Sequence, residues 1–243
     1  MTDLKKYSSE NRAINDFLKI YNFSKSKDEK FAVICVDVQR GFFSNVFMKN
    51  KKLSGFINYL RKVKELCLKN EILFFDVTNK QTIGKSVLSE ENNFSKVINI
   101  SKKSNSAMYD TEVFEQLSKN DISNVFVVGL FRNRCILATI TDLIKRDKFT
   151  IITSYLGTLN FHDSLEKRES RKSEIKKYID KDLINYDNEY PNYFENVHQE
   201  MGGEKYKFSN EIKFLRQNGV LILDYYYKGN NGKFTCDLDD FSR

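Results

Sequence analysis

The stretch Asn124–Thr153, NVFVVGLFRNRCILATITDLIKRDKFTIIT, decides how the chain is read. Val125–Val128 is a short run of β-branched and aromatic residues closed by Gly129, the pattern of a strand buried on both faces of a parallel sheet. From Ile136 the period changes. Ile136, Ile140, Leu143 and Ile144 recur at i, i+4, i+7 and i+8, the apolar stripe of a helix packed on that sheet, and Phe149–Thr153 is the next strand. Cys135 therefore falls at a strand-to-helix turn, in the first helical turn. Backbone N–H groups there lack intrahelical partners, and with the helix dipole they favour a thiolate and can hold a developing oxyanion. A cysteine that merely packs as a small apolar residue is the ordinary alternative.

Two further stretches bear on that choice. In Phe31–Phe43, FAVICVDVQRGFF, an apolar strand ends in Asp37; Lys102–Thr111, KKSNSAMYDT, follows the apolar run Val97–Ile100 and puts a lysine at a third strand end. In an open α/β sheet the carboxyl ends of the strands face the ligand crevice, so Asp37, Lys102 and Cys135 are expected to meet there although they lie far apart in sequence. Taken singly each has a plain reading. Asp37 could cap a loop, and Lys103 beside Lys102 carries the same charge.

In this order the three stretches resemble the isochorismatase-like superfamily of cysteine hydrolases. The resemblance lies in an apolar strand ending D-x-Q with aromatics after it (Asp37, Gln39, Phe42, Phe43), then K-x-x-x-S-A with a Thr three residues past an aromatic position (Lys102, Ser106, Ala107, Met108, Thr111), then a Gly and a Cys that opens a helix (Gly129, Leu130, Cys135, Ile136). It covers about residues 30–155, with a looser echo near 192–212. The chain departs from the pattern where members carry Thr-Asp before the Cys, having Arg132 and Asn133, and where Met108 replaces an aromatic.

The resemblance implies an α/β, Rossmann-like three-layer sandwich with a mostly parallel sheet of about six strands. It implies a catalytic triad in which the Asp37 carboxylate takes the thiol proton, Lys102 stabilises the anions, and Cys135 attacks an amide-type carbonyl to form a thioester. Choosing Lys102 over Lys103 rests on the family spacing. The oxyanion would be held by the N–H groups of Phe131 and Cys135, at a turn where members have a cis peptide, here Leu130–Phe131. Gln39, Phe42 and Phe43 would line the substrate site. Isochorismate hydrolases of the superfamily instead cleave a vinyl ether with the Asp as acid and do not need the Cys; an inactive binding or structural module is the remaining alternative. Metal-dependent nicotinamidases of the superfamily place an Asp and His residues in the loop that corresponds to Thr78–Phe94. The two histidines here, His162 and His198, lie far downstream, so neither a metal nor a cofactor is expected.

Arg132 and Arg134 flank the nucleophile in LFRNRC. Each guanidinium stays charged and must be solvated or paired, so at least one is expected to face the crevice, bind an anionic substrate and lower the thiol pKa.

The bounds from composition agree with such an enzyme. A chain of 243 residues, 40% hydrophobic and 30% charged, suits one soluble domain. Its net charge of +7 comes from 40 basic residues interspersed with 33 acidic ones and carries no nucleic-acid motif. No apolar run reaches the length of a membrane span, and MTDLKKYSSENRA lacks a signal-peptide core, so a cytoplasmic protein that binds neither membrane nor nucleic acid is expected. The four cysteines form no C-x-x-C pair.

Outward from the core, Asn11–Tyr21 and Leu53–Leu68 read as amphipathic helices, with Glu71–Val77 a strand between the second helix and the Thr78–Phe94 loop. Asp110–Lys119 reads as a helix capped by Asp110 or Thr111. The expected single domain has its core at about 28–157 and 192–212. A charged helical insertion occupies about 158–191, and an apolar C-terminal hairpin extension at about 213–243 flanks the sheet or reaches a second copy in a homo-oligomer, dimer or tetramer.

Overall fold

The computed structural model describes residues 10–42, 51–82, 84–88, 96–159 and 214–223, with strand pairs at 227–228 and 234–235. The elements are α1 (Glu10–Ser26), β1 (Lys30–Val36), α2 (Lys51–Lys69), β2 (Leu73–Asn79), β3 (Val97–Lys102), α3 (Val113–Lys119), β4 (Ile122–Leu130), α4 (Leu137–Ile144), β5 (Thr150–Leu159) and β6 (Leu221–Leu223). A small antiparallel pair, β7 (Tyr227–Lys228) and β8 (Phe234–Thr235), follows.

The six-stranded sheet has the order β3-β2-β1-β4-β5-β6 and every pairing in it is parallel. Alternation along the strands explains the layers. On β1, Phe31, Val33 and Cys35 face a core shared with Phe17 and Ile20 of α1 and Leu60 and Val63 of α2. Ala32, Ile34 and Val36 face the opposite core, with Val113 and Leu117 of α3 and Ile140 and Leu143 of α4. Strands buried on both faces read as unbroken apolar runs, which is why β1 and β4 stand out in the sequence. The expected three-layer α/β sandwich is thus the architecture found.

The chain builds β1, β2 and β3 outward to one edge, then returns to place β4 on the other side of β1. That reversal is a topological switch point between the carboxyl ends of β1 and β4, the place where open α/β sheets bind their ligands. Gly129 makes the approach possible: its φ is +132°, and a Cβ there would lie 2.1 Å from the Val36 carbonyl oxygen of the paired strand. Gly157 has a similar steric role on β5, where a Cβ would lie 2.8 Å from both Tyr59 and Val128.

One domain boundary needs correction. The stretch from 213 onward is not an appendage to a finished core, because Leu221–Leu223 pairs in parallel with β5 as the sixth strand, and Leu215, Val220, Ile222 and Leu223 are buried in the two cores. The expected antiparallel pairing does follow, and among the described residues it joins Tyr227–Lys228 of β7 to Phe234–Thr235 of β8. The charged segment from 160 onward and the echo at 192–212 lie outside the described residues, whereas 158 and 159 belong to β5. Thr111 supports the start of α3 as expected, its hydroxyl accepting from the Val113 N–H at 3.3 Å, although the helix begins one residue later than a Thr111 cap would place it.

Candidate active site

Asp37 is the first residue past β1 and has φ +60°, a left-handed conformation that Asp tolerates better than most residues. Its N–H donates to the Val77 carbonyl at the end of β2, so the turn is anchored across the strand ends. Lys102 ends β3, two strands from β1 and hence about 10 Å away by strand spacing. Its long side chain bridges that gap. The Lys102 ammonium lies 2.8 Å from Asp37 Oδ2, and both side chains have 0% exposure. Lys103, by contrast, is exposed, so the neighbouring lysines are distinguished.

Two main-chain oxygens complete the ammonium's surroundings, with Nζ donating to Ser104 O at 2.8 Å and Asn105 O at 3.2 Å. At 2.8 Å the Asp37–Lys102 contact is an ion pair first, with the opposite charges holding it in a site closed to solvent. Burial alone would depress the Lys102 pKa. The Asp37 carboxylate more than offsets this, and the ammonium is held above its usual range.

Cys135 sits in a single π-helical turn, Arg132–Ile136, between β4 and α4. Its thiol is 5% exposed and donates to Asn105 Oδ1 at 3.5 Å. Thr139, one turn further along, clamps the turn to the Lys102 loop: its hydroxyl donates to Cys135 O at 2.7 Å and accepts from Ala107 N–H at 2.9 Å. The expectation of a depressed thiol pKa is overturned. Burial pushes the thiol up, the charge of Asp37 adds to that, and Lys102 and Arg134 oppose it without prevailing. Cys135 is therefore held as a thiol beside the Asp37 carboxylate, not as a thiolate.

The predicted oxyanion turn is also different. The peptides of the described residues are trans, and Phe131 takes φ +59°, ψ 61° with its N–H donating to Leu159 O at 2.9 Å. That N–H is committed to β5 and does not serve the crevice.

Among the expected substrate contacts, Gln39 proves to be a loop anchor. It is 2% exposed; its amide nitrogen donates to Asn79 O (3.1 Å), Thr82 O (3.4 Å) and Gly84 O (3.2 Å), and Oε1 accepts from Asn79 N–H at 2.6 Å. The amide is consumed in pinning the 79–86 loop to the β1 turn. Gln39→Ala is expected to cost about 2 kcal/mol, the scale for orphaned buried groups, measured by urea unfolding. Unchanged stability with lost turnover would put Gln39 on the substrate instead.

Phe42 and Phe131 pack edge to face with centroids 4.9 Å apart, forming an aromatic wall from the β1 and β4 turns. Phe43 lies outside the described residues. Arg132 is turned toward β5: Nε donates to Thr158 Oγ1 at 2.6 Å and a terminal nitrogen donates to Thr158 O. Arg134 is exposed, and its charge reaches the Cys135 thiol. The residues that sequence reasoning missed are Asn105 and Thr139, which carry no distinguishing local pattern; a polar loop residue and a mid-helix Thr look alike wherever they occur.

The described residues contain no group of three His, Cys, Asp or Glu side chains placed to hold a metal ion. No helix among them is long and apolar enough to cross a membrane.

Residues 31–154, half of the chain, match the sequence profile of the Isochorismatase domain. The chain belongs to the isochorismatase family. As an isochorismatase-family hydrolase it is similar in fold to solved structures that include the nicotinamidase from Bacillus subtilis (17% identity, TM-score 0.47, covering 60% of this chain and 94% of that one). Others are the nicotinamidase from Staphylococcus aureus (18%, 0.48, 61% and 92%) and an isochorismatase-like hydrolase from Alkaliphilus metalliredigens (17%, 0.47, 62% and 92%). No curated protein sequence matches the chain.

The raised pKa values of the isochorismatase-family thiols have a consequence for stability. Cys35 and Cys67, buried with no exposed surface, are pushed up by burial first, as Cys135 is. In the unfolded chain they titrate at about 8.5, so above that pH the folded state holds more protons than the unfolded one and stability falls as pH rises. Lys102, also raised, keeps its contribution below about 10.4 and loses it above. Melting temperature is expected to be flat through neutrality and to fall from about pH 8.5, more steeply beyond about pH 10. A curve still flat at about pH 10 would show that the thiols are not buried.

Proposed function

We propose that the protein is a cysteine hydrolase that cleaves a C–N amide-type bond of a small, anionic molecule through a thioester on Cys135. The observation that carries this reading is the fully buried Asp37–Lys102 ion pair at the β1/β4 crevice with the Cys135 thiol beside it. A buried ion pair is costly to maintain and needs a reason, and a base next to a protonated nucleophile supplies one.

In the proposed reaction Asp37 accepts the thiol proton as Sγ attacks the carbonyl carbon, so that the thiolate exists only as the C–S bond forms. Lys102 keeps the site's charge balanced while the negative charge moves from carboxylate to oxyanion. The Cys135 N–H is assigned to the oxyanion. Protonated Asp37 then donates to the leaving nitrogen and, as a carboxylate again, draws a proton from water that hydrolyses the thioester. Phe42 and Phe131 offer an apolar face for the substrate's body. The site as read uses no metal and no cofactor. Buried unpaired thiols at Cys35 and Cys67 suit the reducing cytoplasm.

The reading is tested by incubating the enzyme with a panel of small amides and following amine release together with the mass of Cys135. A transient acyl adduct supports it; hydrolysis of vinyl ethers without an adduct would favour acid catalysis by Asp37, and inertness to both would favour a binding module.

Substrate charge is tested separately. Arg134→Ala is expected to slow an anionic amide about 3- to 5-fold relative to its neutral analogue, the scale of one exposed charge contact. Arg132→Ala should affect both alike, through loss of its anchor on Thr158. Equal effects of Arg134→Ala on both substrates would remove it from the binding site.

A further inference from the structure

The committed Phe131 N–H leaves the proposed oxyanion with one main-chain donor from the nucleophile turn, yet a tetrahedral intermediate in a site this buried needs more than one. The structure puts an unassigned amide at that position. Asn105 lies on the loop after β3, half-buried, with Oδ1 3.5 Å from Cys135 Sγ and its main-chain oxygen 3.2 Å from Lys102 Nζ. The residue is thus held between the nucleophile and the cation. The Thr139 bridge from Ala107 to Cys135 O keeps its loop against the nucleophile turn. Its amide nitrogen carries two donors, and no described residue accepts from them.

We propose that Asn105 is a catalytic residue whose side-chain amide supplies the second oxyanion donor. This assignment rests on the thioester reading above. Before reaction Oδ1 accepts from the thiol. As the proton passes to Asp37, that hydrogen bond is lost, the C–S bond forms, and the carbonyl π pair moves to oxygen. Nδ2–H of the same planar group then donates to that oxygen, which lies one bond from the carbon held on Sγ. When the intermediate collapses the pair returns to the carbonyl, the C–N bond breaks, and the leaving nitrogen takes the proton from Asp37. A polar side chain here answers to charge that exists only in the transition state, so its loss should lower kcat with little change in KM.

The experiment compares two reactions of Cys135 that differ in one respect. Acetylation by p-nitrophenyl acetate, followed by the burst of p-nitrophenolate and a mass shift, passes through an oxyanion. Alkylation by iodoacetamide does not. Asn105→Leu, close to Asn in shape, and Asn105→Ala both keep the main-chain oxygen on Lys102, and thermal melts establish that each is folded. Acetylation is expected to slow about 100-fold in both variants, the loss seen when one oxyanion donor is removed, while alkylation changes less than about threefold. Acetylation at the wild-type rate in either folded variant overturns the assignment alone. Parallel losses in both reactions also overturn it, since Asn105 would then only place the thiol. Failure of wild-type Cys135 to be acetylated at all would overturn the thioester reading and this assignment with it.

Discussion

Cys135→Ala is expected to abolish the acyl adduct and to lower turnover of amides by at least about 10³-fold, the scale on which covalent hydrolases lose activity with their nucleophile. The residual rate would come from Asp37 and the oxyanion donors acting on water. The same substitution should cost only about 1 kcal/mol of stability, as removal of one buried atom does, because Cys135 is packed with Ile136, Leu137 and the β1 residues Ile34 and Val36 in a core that stays otherwise intact. The hydrogen bond it gives up, to Asn105, is a long one. Chemistry and packing therefore separate at this residue. Turnover measured at saturating amide, with urea unfolding of the same preparation, checks both halves. Activity retained by Cys135→Ala would transfer the reaction to Asp37 as a general acid and favour a vinyl-ether substrate.

Lys102→Met should be damaging in the opposite proportion, lowering stability by about 3–5 kcal/mol as well as ending turnover, because it leaves the Asp37 carboxylate at 0% exposure without a counter-charge. It also strips the Ser104 and Asn105 oxygens of their shared donor. Asp37→Asn should destabilise by a similar route, stranding the ammonium. Combining the two replaces a buried ion pair with neutral groups of similar size. The double variant is therefore expected to be at least as stable as either single variant, which requires a coupling energy of at least about 3 kcal/mol, yet to remain inactive. Chemical unfolding of the four proteins gives that coupling directly. Additive losses would mean that the pair is solvated and that Lys102 acts at a distance from Asp37.

The contrast between these variants shows which parts of the site local sequence can carry. The period changes around Gly129 and Ile136, and the unbroken apolar runs of β1 and β4, depend on neighbours within a few residues, so they are legible in the sequence alone. So is the placement of Asp37 and Cys135, because parallel strands in such a sheet send their carboxyl ends to one side and the switch lies between β1 and β4. Short strands are not legible in the same way. Leu221–Leu223 has the composition of a hairpin arm or of a sheet strand, and only its partner Ile152–Ser154, some seventy positions earlier by the numbering, decides between them.

The remaining differences concern where a group's second partner lies. The turn around Cys135 suggests a depressed thiol pKa because exposed N–H groups and arginines are local features. The folded protein reverses the sign, since burial and the carboxylate of Asp37, brought from nearly a hundred residues away, outweigh them. Gln39 sits in the D-x-Q motif as expected, but its amide is used up by Asn79, Thr82 and Gly84. The Phe131 N–H is taken by Leu159, and Arg132 by Thr158. By itself the sequence determined the strand ends, the helix faces and the residue types that converge on the crevice. Tertiary structure alone decided which of those groups keep a free valence there, because each hydrogen-bonding group is claimed by whatever partner the fold brings nearest.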